Sequence, residues 1–495
     1  MSSPSIAGLP GPRRLPALGN AHQLRTERLH LILERWAARY GPIYRMDMGP
    51  FPVVVISDRD TTNAVLRRRP DGFRRWKAIG DVFAEMGIDG VFNAEGDAWR
   101  RQRRLSVTAL NADYLHRYYD VIAVSMERLR GRVAAIAERG QPVNIHPVFQ
   151  AFTIDVTSGL AFGQDVNSLE RGEDALMGHI NTIFAAIARR INAPVPYWRR
   201  VKLPADRALD RSLAALQTSV GQFIGESRSR LAERPGGPPE NFLEGMLSAP
   251  DNFTDSEIVG NVLTMLLAGE DTTSHSLAWA VWYVANRPDV QQRLQAEADA
   301  VLGDAAVPDY AASGRLVYAE AVLREAIRLR SPASFLLVEP VQDTEVLEVP
   351  LPAGTRMILL TRQITLQEGT YPRAHMFDPD RWLAGGADGK GADSKGYLAF
   401  GAGPRVCPGR NLAHLEAKSA LAMLARSFEI APDRSAPAPR ERFGFTTGPT
   451  AVPVLFRTRT RGQPGVTEPA SGTHGTSTRT TSPSEGNRLG EQAGT

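Results

Sequence analysis

Apolar residues recur at helical spacing over most of the chain, and strand-like alternation is confined to short stretches. The longest helical run opens at Thr254-Asp255-Ser256-Glu257, where a hydroxyl followed three residues later by a glutamate makes a capping box. Apolar positions continue to Val284, and Asn286-Arg287-Pro288 ends the run. That is about 30 residues, or roughly 45 Å of helix. A helix so long and so apolar has to cross the middle of a large domain. A second helix is predicted after Gly409, with Leu412, Ala413, Ala417, Ala420, Leu421, Leu424 and Phe428 on one stripe. A third is predicted from Leu24 to Tyr40, with Leu29, Leu31, Ile32, Trp36 and Ala37 clustered by helical spacing. IYRMDM and PVVVISD flank Gly49-Pro50 and predict a hairpin, while TEVLEV and TRMILLT predict single strands. The balance is mainly α with minor β, and no internal repeat is present.

The same pattern divides the chain. Residues 1–20 are a Pro/Gly-rich, irregular lead-in. Residues 21–457 form a single folded domain. From 458 to 495 the chain is Thr, Ser, Gly and Pro, with only Val466 and Leu489 as sizeable apolar groups. Such a segment cannot offset its ordering entropy, so a disordered tail is expected.

Composition narrows the class. The chain has 495 residues, of which 42% are hydrophobic and 23% charged, which is ordinary for a globular protein. No apolar run approaches the roughly 18 residues that span a bilayer, so no transmembrane anchor is expected. MSSPSIAGLPGPRRLPALGN has no apolar leader core. A single cysteine excludes an internal disulfide framework and a multi-thiolate zinc site. The expected setting is cytoplasmic. Net charge is +4, with basic residues mostly arginine; the excess is too small and too scattered to argue for nucleic acid.

The one cysteine lies in Phe400-Gly-Ala-Gly-Pro-Arg-Val-Cys407-Pro-Gly409, directly before the second helix. A helix N-terminus carries partial positive charge and free N–H groups, both of which favour a thiolate. Gly401, Gly403 and Gly409 permit a tight backbone path, Pro404 and Pro408 stiffen it, and Arg405 adds a cation. A core cysteine has no need of such a loop; a metal-binding sulfur does. Within the long helix, Ala268-Gly269-Glu270-Asp271-Thr272-Thr273 interrupts the apolar run. Thr272 can divert a backbone bond to its hydroxyl, and with Gly269 it is expected to loosen the helix and open a notch. Glu325 and Arg328 sit at i,i+3, which alone is a common surface pair. Trp99 and Arg103 sit at i,i+4 within AWRRQRR.

Taken together these motifs resemble the cytochrome P-450 family, over about residues 20 to 457 and in the family's order. The resemblance implies a mainly helical fold with haem b (iron protoporphyrin IX) between the long oxygen-activating helix and the cysteine-loop helix. Cys407 is then the axial iron ligand, with Phe400, Gly401 and Gly409 around it and Ala268 on the opposite side. Asp271 and Thr272 match the acid–alcohol pair that delivers protons. Arg381, from Phe377-Asp-Pro-Asp-Arg381-Trp382, is expected to lock onto Glu325 and Arg328. Trp99, Arg103 and Arg405 are expected at the haem propionates. Two departures stand out. The propionate-binding arginine that relatives carry after the E-x-x-R helix is absent from SPASFLLVEP, where Val338 or Glu339 falls near its place. Thr365-Leu366-Gln367 replaces a common His-Arg-Asp.

The implied activity is that of a soluble bacterial-type monooxygenase, which inserts one atom of dioxygen into a lipophilic small molecule. Electrons come from a separate ferredoxin or flavodoxin type donor with its reductase, since the chain is too short to add a flavin reductase. Arg100, Arg101 and Arg104 are either a solvated helix face or a docking patch for that donor. Expected pocket walls are Phe83, Met86, Ile88, Val91, Phe92, Met265, Ser334, Phe335, Leu336, Phe445 and Thr446. The rival readings are a peroxide-using or rearranging haem-thiolate enzyme and a non-catalytic haem-binding sensor.

Overall fold

The computed structural model describes residues 5–172, 175–191, 193, 195–251, 253–383 and 396–460. The long helix runs Asp255–Ala285. Its capping box is closed: Glu257 N donates to Thr254 Oγ1 at 3.3 Å, and Thr254 N donates to Glu257 Oε2 at 2.9 Å. Most of its residues are buried, because helices pack around it on several sides. These include the His146 helix (His146–Phe162), the Glu325 helix (Val317–Leu329) and the cysteine helix (Arg410–Ser427). An all-round apolar helix is stable only when enclosed in this way.

A five-stranded sheet lies at one side, in the order Ile43–Met48, Phe51–Ile56, Arg356–Leu359, Leu336–Pro340, Phe73–Arg75. The first two form the antiparallel hairpin, with Met48 opposite Phe51. The last strand sets Arg75 opposite Val338 and Arg74 opposite Glu339. Trp76 pins it there, its Nε1 donating to Val338 O at 2.9 Å and to Met357 O at 3.1 Å.

Several local expectations are corrected. The first helix begins at Leu29, since Thr26–Arg28 is a 3-10 turn and Leu24 is extended. Its buried face includes His30 and Glu34, because both meet charges from elsewhere: Glu441 and Arg362. TEVLEV is a tight hairpin, in which Leu347 (φ 50°) and Glu348 (φ 61°) turn between Thr344–Val346 and Val349–Leu351. TRMILLT leaves the sheet after Leu359 and starts a short helix at Thr361.

The lead-in is ordered against the hairpin. Gly19 bridges to Met48, and Asp47 N donates to Asn20 Oδ1 at 2.8 Å. At the other end, strand Pro453–Thr458 pairs with Phe428–Pro432, and Arg459 Nη2 donates to Asp299 Oδ2 at 2.8 Å. The compact unit therefore reaches Arg459, slightly past the expected edge. Residues 461–495 of the expected tail lie outside the described residues.

Candidate active site

The cysteine loop is held by backbone. Gly403 has φ 69°, and a Cβ there would lie 2.5 Å from Leu66 O and 2.8 Å from the Arg67 Cα. Only glycine lets the loop lie this close to the helix Arg59–Arg67. Cys407 N donates to Phe400 O at 2.9 Å and closes the turn. Gly409 is the N-cap and Arg410 the first helical residue, so Cys407 precedes the helix proper. The cysteine is exposed yet crowded by protein atoms, as a group facing an internal cleft is. Burial pushes its thiol up, against the pull of the Gly409 and Arg410 N–H groups and the Arg103 and Arg410 guanidinia. A cation bound at the sulfur would shift that balance towards the thiolate.

Beside the loop lies a group of arginines. Trp99 and Arg103 project from the helix Gly96–Thr108; Trp99 is buried, and burial lowers Arg103 while Cys407 raises it. Arg405 lies over the Trp99 ring at 4.7 Å, donates to Ala94 O at 2.6 Å and pairs with Glu95. Two further members were missed from the sequence. Burial and the Arg405 charge push Arg69 down to about 10, and burial with Arg69 and Arg405 pushes Arg75 well down. Glu95 is the acid that opposes them, and burial raises it. Arg69 Nε and Nη2 and Arg405 Nε are buried without a partner. Such a cluster is costly unless anions join it.

Arg75 also occupies the place left open after the Glu325 helix, because its strand sets it opposite Val338. Only the pairing of distant strands reveals this; no local motif could. Arg100, Arg101 and Arg104 are instead engaged with Asp71 and Asp97, with Glu257, and with Asp251. They are not a free basic patch.

The E-x-x-R segment is a buried network. Glu325 accepts from Arg328 Nε and Nη2 at 2.8 Å, from Arg381 Nε at 2.9 Å and from Trp382 Nε1 at 2.9 Å. Arg328 Nη1 donates to Thr365 O at 2.8 Å and to Ala374 O at 2.6 Å. The network ties the helix to the segment approaching the cysteine loop, and every charge in it is paired.

The long helix supplies the other wall. It is continuous through Gly269, so the expected notch is not formed by a broken helix. Thr272 Oγ1 does donate to Ala268 O at 2.7 Å. Gly269 serves close packing: a Cβ there would lie 2.7 Å from Thr157 Oγ1. Thr264, Leu267, Ala268 and Thr272 line a cavity of about 220 Å³ together with Phe83, Phe92, Phe335, Leu336, Phe445 and Thr446. Phe83, Phe92 and Phe445 form an aromatic cluster with centroids 5.1–5.9 Å apart.

Four expected wall residues are elsewhere. Met86 and Ile88 are core, Val91 is held by its N–H to Asn261 Oδ1 at 3.0 Å, and Met265 lies one position round the helix from the lining face. Trp76, Ile79 and Phe443 line the cavity in their stead, Ser334 lines it as expected, and Arg75 is the one charged residue in its described wall. Asp271 faces sideways: its Oδ2 accepts from Thr446 Oγ1 at 3.0 Å.

These residues fit a haem. Among the described residues no three His, Cys, Asp or Glu side chains gather to hold a bare metal ion. A lone thiol suits an iron whose other ligands come from a porphyrin, and the orphaned guanidinium donors suit its two carboxylates.

A family model described as cytochrome P-450 matches residues 9–456. Among curated relatives, Protein LUTEIN DEFICIENT 5, chloroplastic, from Arabidopsis thaliana is 26% identical over 460 residues, covering 90% of this chain and 74% of its own. Steroid 17-alpha-hydroxylase/17,20 lyase from Gallus gallus is 28% identical over 470 residues, covering 89% and 91%. The mitochondrial 1,25-dihydroxyvitamin D(3) 24-hydroxylase of Rattus norvegicus is 25% identical over 473 residues, covering 92% and 90%.

Proposed function

The chain belongs to the cytochrome P-450 family and is a haem-dependent monooxygenase, and we propose that Cys407 holds the iron while Asp271 and Thr272 manage protons for oxygen cleavage. The observation that carries this reading is an alcohol and an acid on one turn of the long helix: Thr272 in the wall of an apolar cavity, and Asp271 bonded to Thr446 in the same wall. Bound beside Cys407, haem iron supplies the redox chemistry that activates dioxygen. The chain's residues do the rest. Phe400 backs the cysteine loop; in iron protoporphyrin IX the two carboxylates would be neutralised by Arg103, Arg405, Arg69 and Arg75, with Trp99 packed beside Arg405. The phenylalanines and leucines exclude water and favour a lipophilic small substrate. The Thr446 and Thr272 hydroxyls pass a proton between Asp271 and the cavity.

Electrons come from separate redox partners. A ferredoxin or flavodoxin type donor with its reductase is proposed. The arginine bias suggests a soluble bacterial-type enzyme, and the lack of disulfides a reducing, cytoplasmic setting, although the relatives named above are eukaryotic, with chloroplastic and mitochondrial proteins among them. Reconstitution with each donor class and fractionation of the source cells test these two points.

Removing the hydroxyl or the acid separates the monooxygenase mechanism from its rivals. Thr272→Ala is expected to release more peroxide and form less product per reducing equivalent, with haem content intact. Asp271→Asn is expected to slow turnover about 10²-fold, the lower range for general acid catalysis. Unchanged coupling and rate in both variants would favour peroxide-using or rearranging chemistry instead.

A further inference from the structure

Asp271 does not stand alone beside the cavity. A polar seam leads from it between two otherwise apolar helices. On the His146 helix, His146, Gln150, Thr153 and Thr157 follow one another at spacings of four, three and four, and so share a face. They meet His275, Glu270 and Gly269 of the long helix in the reverse order. The His146 and His275 rings are 4.9 Å apart, centroid to centroid. Gln150 Nε2 donates to Glu270 Oε1 at 2.9 Å, and Thr153 Oγ1 lies 3.1 Å from Glu270 O. His275 Nε2 is 3.7 Å from Asp271 Oδ1, one turn along the helix. His146 is half-buried at the helix end, so the seam opens towards solvent there.

Two details separate this pair from packing histidines. His275 Nδ1 and His146 Nε2 are buried without a protein partner. Buried polar atoms without partners lower stability, and an apolar residue avoids that cost. Gly448, moreover, leaves room for the His275 ring; a Cβ at that position would overlap it. The fold therefore accommodates an imidazole here at a cost to packing on both sides.

We propose that His146 and His275 relay protons from solvent to Asp271, extending the Asp271–Thr446–Thr272 group to the protein surface. The proposal rests on the reading of Asp271 and Thr272 given above. A proton enters at one nitrogen of His146 as another leaves its second nitrogen for His275. The same exchange at His275 restores the proton that Asp271 gives to the cavity. One proton moves inward, and both rings end neutral. Burial holds His146 down at about 3 and lowers His275, so both are neutral imidazoles able to accept and donate. The other groups facing the seam are Glu270, whose carboxyl burial and Asp271 push up, and uncharged Gln150, Thr153 and Thr446.

The test needs neither substrate nor redox partner. Dithionite-reduced holoenzyme is mixed with oxygen-saturated buffer in H2O and in D2O, and the return of the ferric Soret band is timed across the neutral pH range. His275→Phe, His275→Gln and His146→Phe are each expected to slow the return about 10-fold, as loss of a proton donor does, and to enlarge the D2O effect. Haem content and melting temperature are measured alongside. Asp271→Asn is expected to slow the return in parallel. If Asp271→Asn slows the return but the His275 variants match the parent, the relay is wrong and the role of Asp271 stands. If Asp271→Asn also matches the parent, the acid–alcohol reading itself fails. If His275→Phe is slow but His275→Gln is normal, a hydrogen bond to Asp271 suffices and the relay is overturned.

Discussion

Glu416 and Glu441 are buried carboxyls with opposite signs. Burial pushes Glu416 up to about 8 on the cysteine helix, with only a Thr273 hydrogen bond opposing it. In the unfolded chain it ionises near 4.5. The folded protein therefore binds the extra proton between those values, and stability falls as pH rises from about 4.5 to 8. Glu416→Gln removes that loss, and is expected to stabilise the protein by roughly 3 kcal/mol at pH 7 and little at pH 4.

For Glu441, burial is outweighed by the His30 ring 3.8 Å away and the paired charges of Arg362 and Arg330, which hold it at about 2. Its stabilisation is complete above about 4.5 and is lost as pH falls towards 2. Glu441→Gln is expected to lower the melting temperature at neutral pH and to lose that difference in acid. Thermal melts of both variants across pH check the two signs. At this scale the sequence announces chemistry only where a residue breaks its local pattern. Cys407 and Asp271-Thr272 do so. Glu416 sits on a helical stripe like any surface glutamate, and nothing local reveals that Thr273 and a closed core face it.

Elements were legible to the extent that their signals are local. The capping box of the long helix, the hairpin at Gly49-Pro50 and the start of the cysteine helix are each specified within a few residues. The start of the first helix was not, because Thr26-Glu27-Arg28 forms a 3-10 turn without an apolar residue or a capping side chain to mark the boundary at Leu29. Strand pairing is non-local, and it decides the most informative substitution. Arg75 stands opposite Val338, at the position where an arginine was missed. Arg75→Ala is expected to speed haem transfer to apomyoglobin about 10-fold, since a charge-assisted bond to a carboxylate is lost. An unchanged transfer rate would remove Arg75 from the haem site. The Glu325 network acts on the same loop by another route. Glu325→Ala leaves Arg328 and Arg381 buried and unpaired, a loss of roughly 3–5 kcal/mol. Little haem-loaded protein is expected, and normal yield with full haem content would show that the network is dispensable.

Across the whole molecule, the cysteine loop, the arginine group and the cavity come from segments hundreds of residues apart, brought together around the long helix. The motifs made that assembly legible in outline, while the cavity's true walls depended on helix rotation: Thr264 and Leu267 face it and Met265 does not. At the surface, Arg100, Arg101 and Arg104, read as a solvated helix face or a docking patch, pair with Asp71 and Asp97, with Glu257 and with Asp251, and Arg100 and Arg104 stay exposed. All of it serves one claim, that Cys407 is the sulfur ligand of a haem iron. The most direct measurement is the spectrum of the reduced, haem-loaded protein under carbon monoxide, with Cys407→Ala beside it. A red-shifted Soret band of thiolate-ligated haem is expected in the parent and is expected to vanish in the variant. A parent without that band, or a variant that keeps it, would contradict the account.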